Sequence, residues 1–468
     1  MVYFISIAAL VVVFAIATVR PINMGLLGFT AAFIVGGWVS GISVEDIVNF
    51  FPGDMFLVVF GVTLLFGIAR VNGTIDLIMN SALRLVRGKP WAIVWLMFLL
   101  AAVLMALGSV LAVGMLAPIA MPLAKRYGID PLLMGMMLSH GALAAAFSPI
   151  TVYAVGIDQL IEEQDIVISP VLLFAIPFAL NLLLAAVLFL VRGRDLWRRS
   201  ETISADSVRS AGEESGGAGG SSGPGSGGGT SGSDGASGSG GAGTATSTKT
   251  RVRSHSTTLT TESVVPHPSS GVTLDNWFTY AAMAGLLVTA LMGIDVGVAA
   301  TGLGALLLLL SPKWSEPAMK TVSWSAVLLV CGIVTYMGVL SANGTIDFLG
   351  GKAAEIPWPL LTAIVIFVAV GMISAVGSSF GIILIALPLA APLLATGELG
   401  AAGFVIALAF CATVVDVSPF STNGVIVMAS AQVEDPARFQ SKMLAYTGYV
   451  IVVAPLLAWL LIVLPTSV

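Results

Sequence analysis

Asn72-Gly73-Thr74-Ile75-Asp76 recurs unchanged as Asn343-Gly344-Thr345-Ile346-Asp347, each copy directly after a long apolar segment. Further matches follow in the same order: Gly108-Ser109 with Gly377-Ser378, Pro118 and Pro122 with Pro388 and Pro392, and Ser148-Pro149 with Ser418-Pro419. All lie 269 to 271 residues apart. One pentapeptide can recur by chance, but four sites in one order at nearly one offset mark an internal duplication. In a membrane chain, duplication is the usual sign of a transporter. Each pentapeptide also reads as a helix start, with turn formers placing side-chain oxygens near free amides.

Composition places the chain in a bilayer: 57% of residues are hydrophobic and only 10% are charged, with a mean hydropathy of +1.00. Ordinary soluble domains carry about 25% charged residues. The net charge of -5 includes no basic stripe suited to nucleic acid. Cys331 and Cys411 both lie inside apolar stretches and read as small core residues, not as a disulfide or metal cluster. The run Val2 to Thr18 lacks a basic leader and a small-residue cleavage site, so it reads as a retained helix. No HExxH or GxxxxGK[ST] pattern occurs, which argues against a zinc-dependent hydrolase or an ATP-driven pump.

Residues 200–270 break the apolar pattern with a Gly/Ser tract that has too little apolar surface to fold. As a flexible tether of about 70 residues it would span roughly 45 Å. It separates a first membrane repeat, 1–199, from a second, 271–468. A span needs about 20 apolar residues, which gives segments near 2–18, 22–40, 54–70, 90–124, 131–157 and 168–191. The second half repeats the plan near 275–292, 296–311, 322–341, 357–396, 400–428 and 443–464.

Segments 90–124 and 357–396 are too long for one crossing. Lys and Arg collect on the cytoplasmic side of short loops, and Arg84, Arg87 and Lys89 precede the first while Lys125 and Arg126 follow it. Both ends therefore share a face. Two full spans would also return to that face, but arms of about 16 residues are short for spanning, and a Gly-Ser turn favours a re-entrant hairpin. With the hairpins counted as returns, the first half runs from outside to inside and the linker is cytoplasmic. The second half then runs the other way. Only Lys352 of the 20 Lys and Arg residues falls outside on this scheme. The expected fold is an all-α polytopic membrane protein of two inverted-topology repeats. Each has five transmembrane helices and one re-entrant hairpin, with broken helices at the midplane.

The breaks are Phe147-Ser148-Pro149-Ile150-Thr151 and Val417-Ser418-Pro419-Phe420-Ser421-Thr422-Asn423. Proline removes an amide donor, and opened backbone at membrane depth is tolerated where protein or a water-filled cavity satisfies it. Its carbonyls can ligate a cation, and the half-helix start beyond it offers amides to an anion. A single such break reads as a packing kink; matched, hydroxyl-rich breaks read as a site. The tips Gly108-Ser109-Val110 and Gly377-Ser378-Ser379 would enter from opposite faces and meet them. Gly-Ser also suits close helix packing, and duplication favours the functional reading. Substrate candidates are Ser109, Ser378, Ser379, Thr151, Thr422 and Asn423. Cation candidates are Gly108, Ser109, Ser148, Ile150, Gly377, Ser378, Ser418, Ser421 and Asp416. No Lys or Arg lies deep in a span, so a bound dianion needs accompanying sodium ions or protons. Asp416 is the sole acid deep in a span and a functional suspect on that ground. His140 reads as a buried, neutral, hydrogen-bonded histidine.

Taken together, GSVLAVGMLAPIAMPLAKR with AAAFSPITVYAVG, and GSSFGIILIALPLAAPLL with VVDVSPFSTNGVIVMA, resemble the ion transporter superfamily. The resemblance is to its divalent anion/sodium symporter group and malonate-carrier-like dicarboxylate branch, and it covers both halves but not the tether. Neither tip carries that group's Ser-Asn-Thr triplet. The resemblance implies a homodimer with elevator-like alternating access. It implies a small dicarboxylate substrate of the malonate, succinate or malate type, carried across the cytoplasmic membrane with sodium ions or protons and no other cofactor. A cation/proton antiporter or oxyanion exporter of the same fold, with Asp416 as carrier, is the alternative.

Overall fold

A computed structural model describes residues 1–20, 22–85, 89–162, 164, 166–198, 272–354 and 357–467. The expected Gly/Ser linker lies outside the described residues. In the first half the helices are α1 (Val2–Val19), α2 (Met24–Ala31, continued by a π-helical stretch Ala32–Val39), α3 (Val44–Asn49), α4 (Gly53–Val71) and α5 (Thr74–Leu85). Then come α6 (Pro90–Ala106), α7 (Ala112–Arg126), α8 (Pro131–Ala144), α9 (Val152–Glu162), α10 (Pro170–Arg192) and α11 (Arg194–Arg198). The second half has α12 (Leu274–Leu291), α13 (Val296–Leu310), α14 (Ser315–Thr321), α15 (Trp324–Ala342) and α16 (Thr345–Ala354). It continues with α17 (Pro359–Ser374), α18 (Ser379–Leu394), α19 (Ala401–Val414), α20 (Thr422–Ser430) and α21 (Pro436–Ala458), the last prolonged helically to Thr466.

Among the described residues, five helices are long and apolar enough to cross a membrane, or six if α13 and the segment after it, bent by 115°, form one span. The chain is therefore an all-helical, multi-pass membrane protein. The shorter apolar helices include α6, α8, α17, α18 and α19. At 1.5 Å per residue, the 17 residues of α6 and the 16 of α17 and of α18 reach about 24–26 Å, less than the ~30 Å of a hydrocarbon core.

Packing between the halves is reciprocal. α4 lies on α13 as α15 lies on α2, α14 contacts α4 as α3 contacts α15, and α9 packs on α18 as α20 packs on α7. Two close backbone approaches fix the first exchange. A Cβ on Gly332 would run into the Gly25 carbonyl, and one on Gly297 would lie 2.7 Å from the Val58 amide. Small residues let helices meet at this distance where lipid offers no hydrophobic drive.

The repeated pentapeptide holds a second exchange. In each copy the asparagine side chain caps the next helix: Asn72 Oδ1 accepts from the Thr74 amide at 3.1 Å, and Asn343 Oδ1 from the Thr345 amide at 3.1 Å. Gly73 and Gly344 supply the left-handed turn at φ +78° and +74°. The free amide of each asparagine then reaches across to the other half, Asn72 Nδ2 to Thr279 Oγ1 at 2.7 Å and Asn343 Nδ2 to Ser6 Oγ at 3.0 Å. α8 from Leu132 to Ala144 and α19 from Gly403 to Val414 are buried on every side, as expected of helices apolar all round. They form the centre of the protein and carry both breaks.

Candidate functional site

The first break spans 145–151, between α8 and α9. Proline at 149 lacks the amide that would continue the helix, and the Thr151 amide closes the turn onto Ser148 O at 2.9 Å. Local hydroxyls reinforce it. Thr151 Oγ1 donates to Ser148 O at 2.8 Å and Ala146 O at 2.5 Å and accepts from the Ala154 amide at 3.3 Å, so it caps α9. Ser148 Oγ donates to Ala106 O at 2.7 Å, tying the break to the end of α6. The turn between α6 and α7 stands on this break. Gly108 has φ +104°, and a Cβ there would come within 2.5 Å of Val62 Cγ1 and 3.4 Å of Ile150 O. Gly108, Ser109, Ser148, Ile150 and Thr151 are thus neighbours.

The second break spans 415–421 and is built alike. Ser421 Oγ donates to Ser418 O at 2.7 Å and accepts from the Gly424 amide at 3.3 Å. Ser418 Oγ accepts from the Phe420 amide at 3.3 Å. Here the tie is Ser374 Oγ to Ala412 O at 2.6 Å. Ser378 Oγ caps α18 by accepting from the Gly381 amide at 3.3 Å. Gly377 lies against α1, where a Cβ would meet Phe14 Cζ at 2.9 Å.

Asp416 sits at this second junction, 5% exposed. Its carboxylate lies beside the hydroxyls of Ser421 and Ser379 and the backbone amides of Asn423 and Thr422. Only Asn423 Nδ2 meets hydrogen-bond geometry, donating to Oδ2 at 3.1 Å; Oδ1 has no partner. A buried carboxylate with one such contact is costly, and the position suits a cation or a proton. Thr422 differs from its fellow candidates because its side chain is exposed, so only its backbone faces the carboxylate.

Tyr153 joins the two junctions and escaped the reading of the sequence. It belongs to α9, its ring centroid is 4.8 Å from that of Phe380 in α18, and its phenol neighbours Ser379 and Asp416. At the offset of 270 residues, Tyr153 corresponds to Asn423 and Ala146 to Asp416. That alignment was the available signal: the acid and its partner stand in one half, and a polar aromatic from the other half faces them.

His140 is fully buried and satisfied. Asn181 Nδ2 donates to Pro177 O at 3.0 Å, so its Oδ1 accepts from His140 Nδ1–H at 2.9 Å, and His140 Nε2 accepts from the Tyr446 hydroxyl at 2.7 Å. This network fixes one tautomer and leaves no open proton position. Beside the first tip, a small cleft, partly open to solvent, is lined by Ser109, Arg70, Thr63, Thr321, Ser323 and neighbouring apolar groups.

Residues 1–146 match the family model described as the dicarboxylate carrier protein MatC N-terminus. The match runs through the first tip and ends two residues before Ser148. No curated protein matches the chain.

Proposed function

We propose that this protein is a secondary active transporter of small dicarboxylates, of the malonate, succinate or malate type, driven by sodium ions or protons. The observation that carries the reading is the meeting of a non-helical tip and a broken helix in each half, with a buried carboxylate at the second, in a chain whose first 146 residues match a dicarboxylate carrier model. The reciprocal packing of the halves supports inverted repeats, and the short hairpin arms support re-entry from opposite faces. On this reading the linker is cytoplasmic, the membrane is the cytoplasmic one, and a homodimer works by elevator-like alternating access.

The tip serines Ser109, Ser378 and Ser379 contact the substrate carboxylates with help from Asn423. Asp416 with Ser418 and Ser421 supplies a cation site, as Gly108, Ser148 and Ile150 do around the first break. Neutralising the dianion by co-bound cations couples the two fluxes. The test is uptake of labelled succinate and malonate into proteoliposomes, with sodium and proton gradients imposed separately. Accumulation driven by one gradient is expected; no dicarboxylate flux under either would refute the reading.

A second reading, cation/proton antiport, is favoured by one observation, the unpartnered Asp416 Oδ1. It predicts pH-dependent cation exchange without dicarboxylate, lost in Asp416→Asn.

A further inference from the structure

The cleft beside the first tip is polar in a way its counterpart is not. Arg70 stands in the last turn of α4 and is exposed. Among the described residues it makes no salt bridge, although its charge acts on the neighbouring Asp76 carboxylate. Ser109 lines the same cleft. It is only 3% exposed, and no group among the described residues hydrogen-bonds its hydroxyl. Next to it begins α7, a 15-residue helix whose first amides have no intrahelical acceptors and whose dipole favours an anion.

At an offset of 271 residues, Thr63, Arg70, Thr321 and Ser323 correspond to Val334, Ser341, Phe50 and Pro52. The backbone geometry is nonetheless shared. Gly67 packs on Thr321, and Gly338 packs on Phe50, where a Cβ would lie 2.7 Å from the Phe50 Cβ. Duplicated architecture thus frames two sites of different chemistry, a cationic, hydroxyl-rich one and a largely apolar one.

We propose that Arg70 is the anion-capture residue of one access route: its guanidinium takes one carboxylate of a small dicarboxylate at the cleft mouth and hands it to the Ser109 hydroxyl and the α7 amides. The proposal rests on the dicarboxylate reading and adds a direction to it. A guanidinium grips carboxylate through two parallel hydrogen bonds, and at a cleft mouth its field raises the local anion concentration. At the matching position of the opposite route stands the uncharged Ser341. The two faces of the carrier therefore differ in apparent affinity, the face bearing the Asn72 turn being the tighter.

Labelled succinate flux into sealed vesicles of defined, opposite orientations tests this, with wild type, Arg70→Gln and Arg70→Lys compared at equal amounts of monodisperse protein. Arg70→Gln is expected to raise KM for entry from the Asn72 face by about tenfold at an unchanged maximal rate from that face. KM from the other face stays unchanged and, because Vmax/KM must match in the two directions at equal ion concentrations, the maximal rate from that other face falls in proportion. Arg70→Lys restores part of that loss. Raising ionic strength should weaken entry from the Asn72 face in wild type but not in Arg70→Gln. Wild-type flux with KM unchanged in Arg70→Gln, or raised equally from both faces, overturns the proposal alone. Absence of any dicarboxylate flux in wild type removes the transporter reading and this proposal with it.

Discussion

Replacing Asp416 by asparagine separates a functional carboxylate from a structural one, because the two roles predict opposite changes in stability. The side chain is 5% exposed and receives one hydrogen bond, from Asn423 Nδ2 at 3.1 Å, while Oδ1 has none. An amide of the same shape keeps an oxygen for Asn423 and can donate to the nearby Ser379 or Ser421 hydroxyls. It also removes the cost of holding a charge out of water. Leaving a buried polar group unsatisfied costs about 1–3 kcal/mol, and more for a charged one. Asp416→Asn should therefore be more stable than wild type by about 1–3 kcal/mol. Purified protein in detergent, heated at a fixed scan rate because such unfolding is commonly irreversible, should show a raised midpoint. The same preparation in proteoliposomes should lose gradient-driven accumulation. A lowered midpoint with unimpaired accumulation would show that the carboxylate braces the break and carries nothing.

Ser109→Ala should raise the KM for dicarboxylate uptake about tenfold, the loss expected for a hydrogen bond to a charged group, with the folded yield intact. Ser378→Ala should weaken uptake similarly and cost about 1 kcal/mol besides, since its hydroxyl caps α18; unchanged kinetics in both variants would remove the tip serines from the site. Gly332→Ala should destabilise the protein by about 3 kcal/mol, read as a drop in thermal midpoint, because the new Cβ collides with the Gly25 backbone. Gly302→Ala is the contrast, with nothing within 4 Å and an expected gain of up to about 1 kcal/mol from helix propensity; similar losses at both positions would mean that the close approach of α2 and α15 is not what Gly332 serves.

Much of the helical plan was legible because punctuation in a membrane chain is sparse and physical. Gly73 and Gly344 adopt positive φ, and the asparagine before each caps the helix that follows. Ser148-Pro149 and Ser418-Pro419 stand where the central helices stop. Other features left no such mark. The short helices α3 and α14 lie between apolar runs, where hydropathy registers only loops. α21 begins at Pro436, before its apolar run, since Asp435 caps it through the Arg438 amide at 3.0 Å and its first turns are polar. In the candidate site, serine and threonine positions were readable, yet Ser148 donates to the last carbonyl of α6 and Thr151 and Ser421 donate to backbone carbonyls within the breaks. Tyr153 and Arg70 were missed for opposite reasons. A tyrosine in an apolar helix passes for core, and an arginine at a helix end passes for a boundary marker. Only the folded packing shows Tyr153 beside the second tip, across the two halves, and Arg70 beside the first tip, within its own half.

Sidedness of the two hairpin bases tests the antiparallel arrangement most directly. Lys125, in the last turn of the return arm α7, and Glu398, just beyond the return arm α18, are exposed, and the native thiols of Cys331 and Cys411 are buried, so single cysteines at 125 and 398 report cleanly against the parent protein. With a membrane-impermeant maleimide applied to sealed vesicles of known orientation, Lys125→Cys and Glu398→Cys should label from opposite faces. Labelling of both from the same face would contradict the inverted repeat and the shared site built on it.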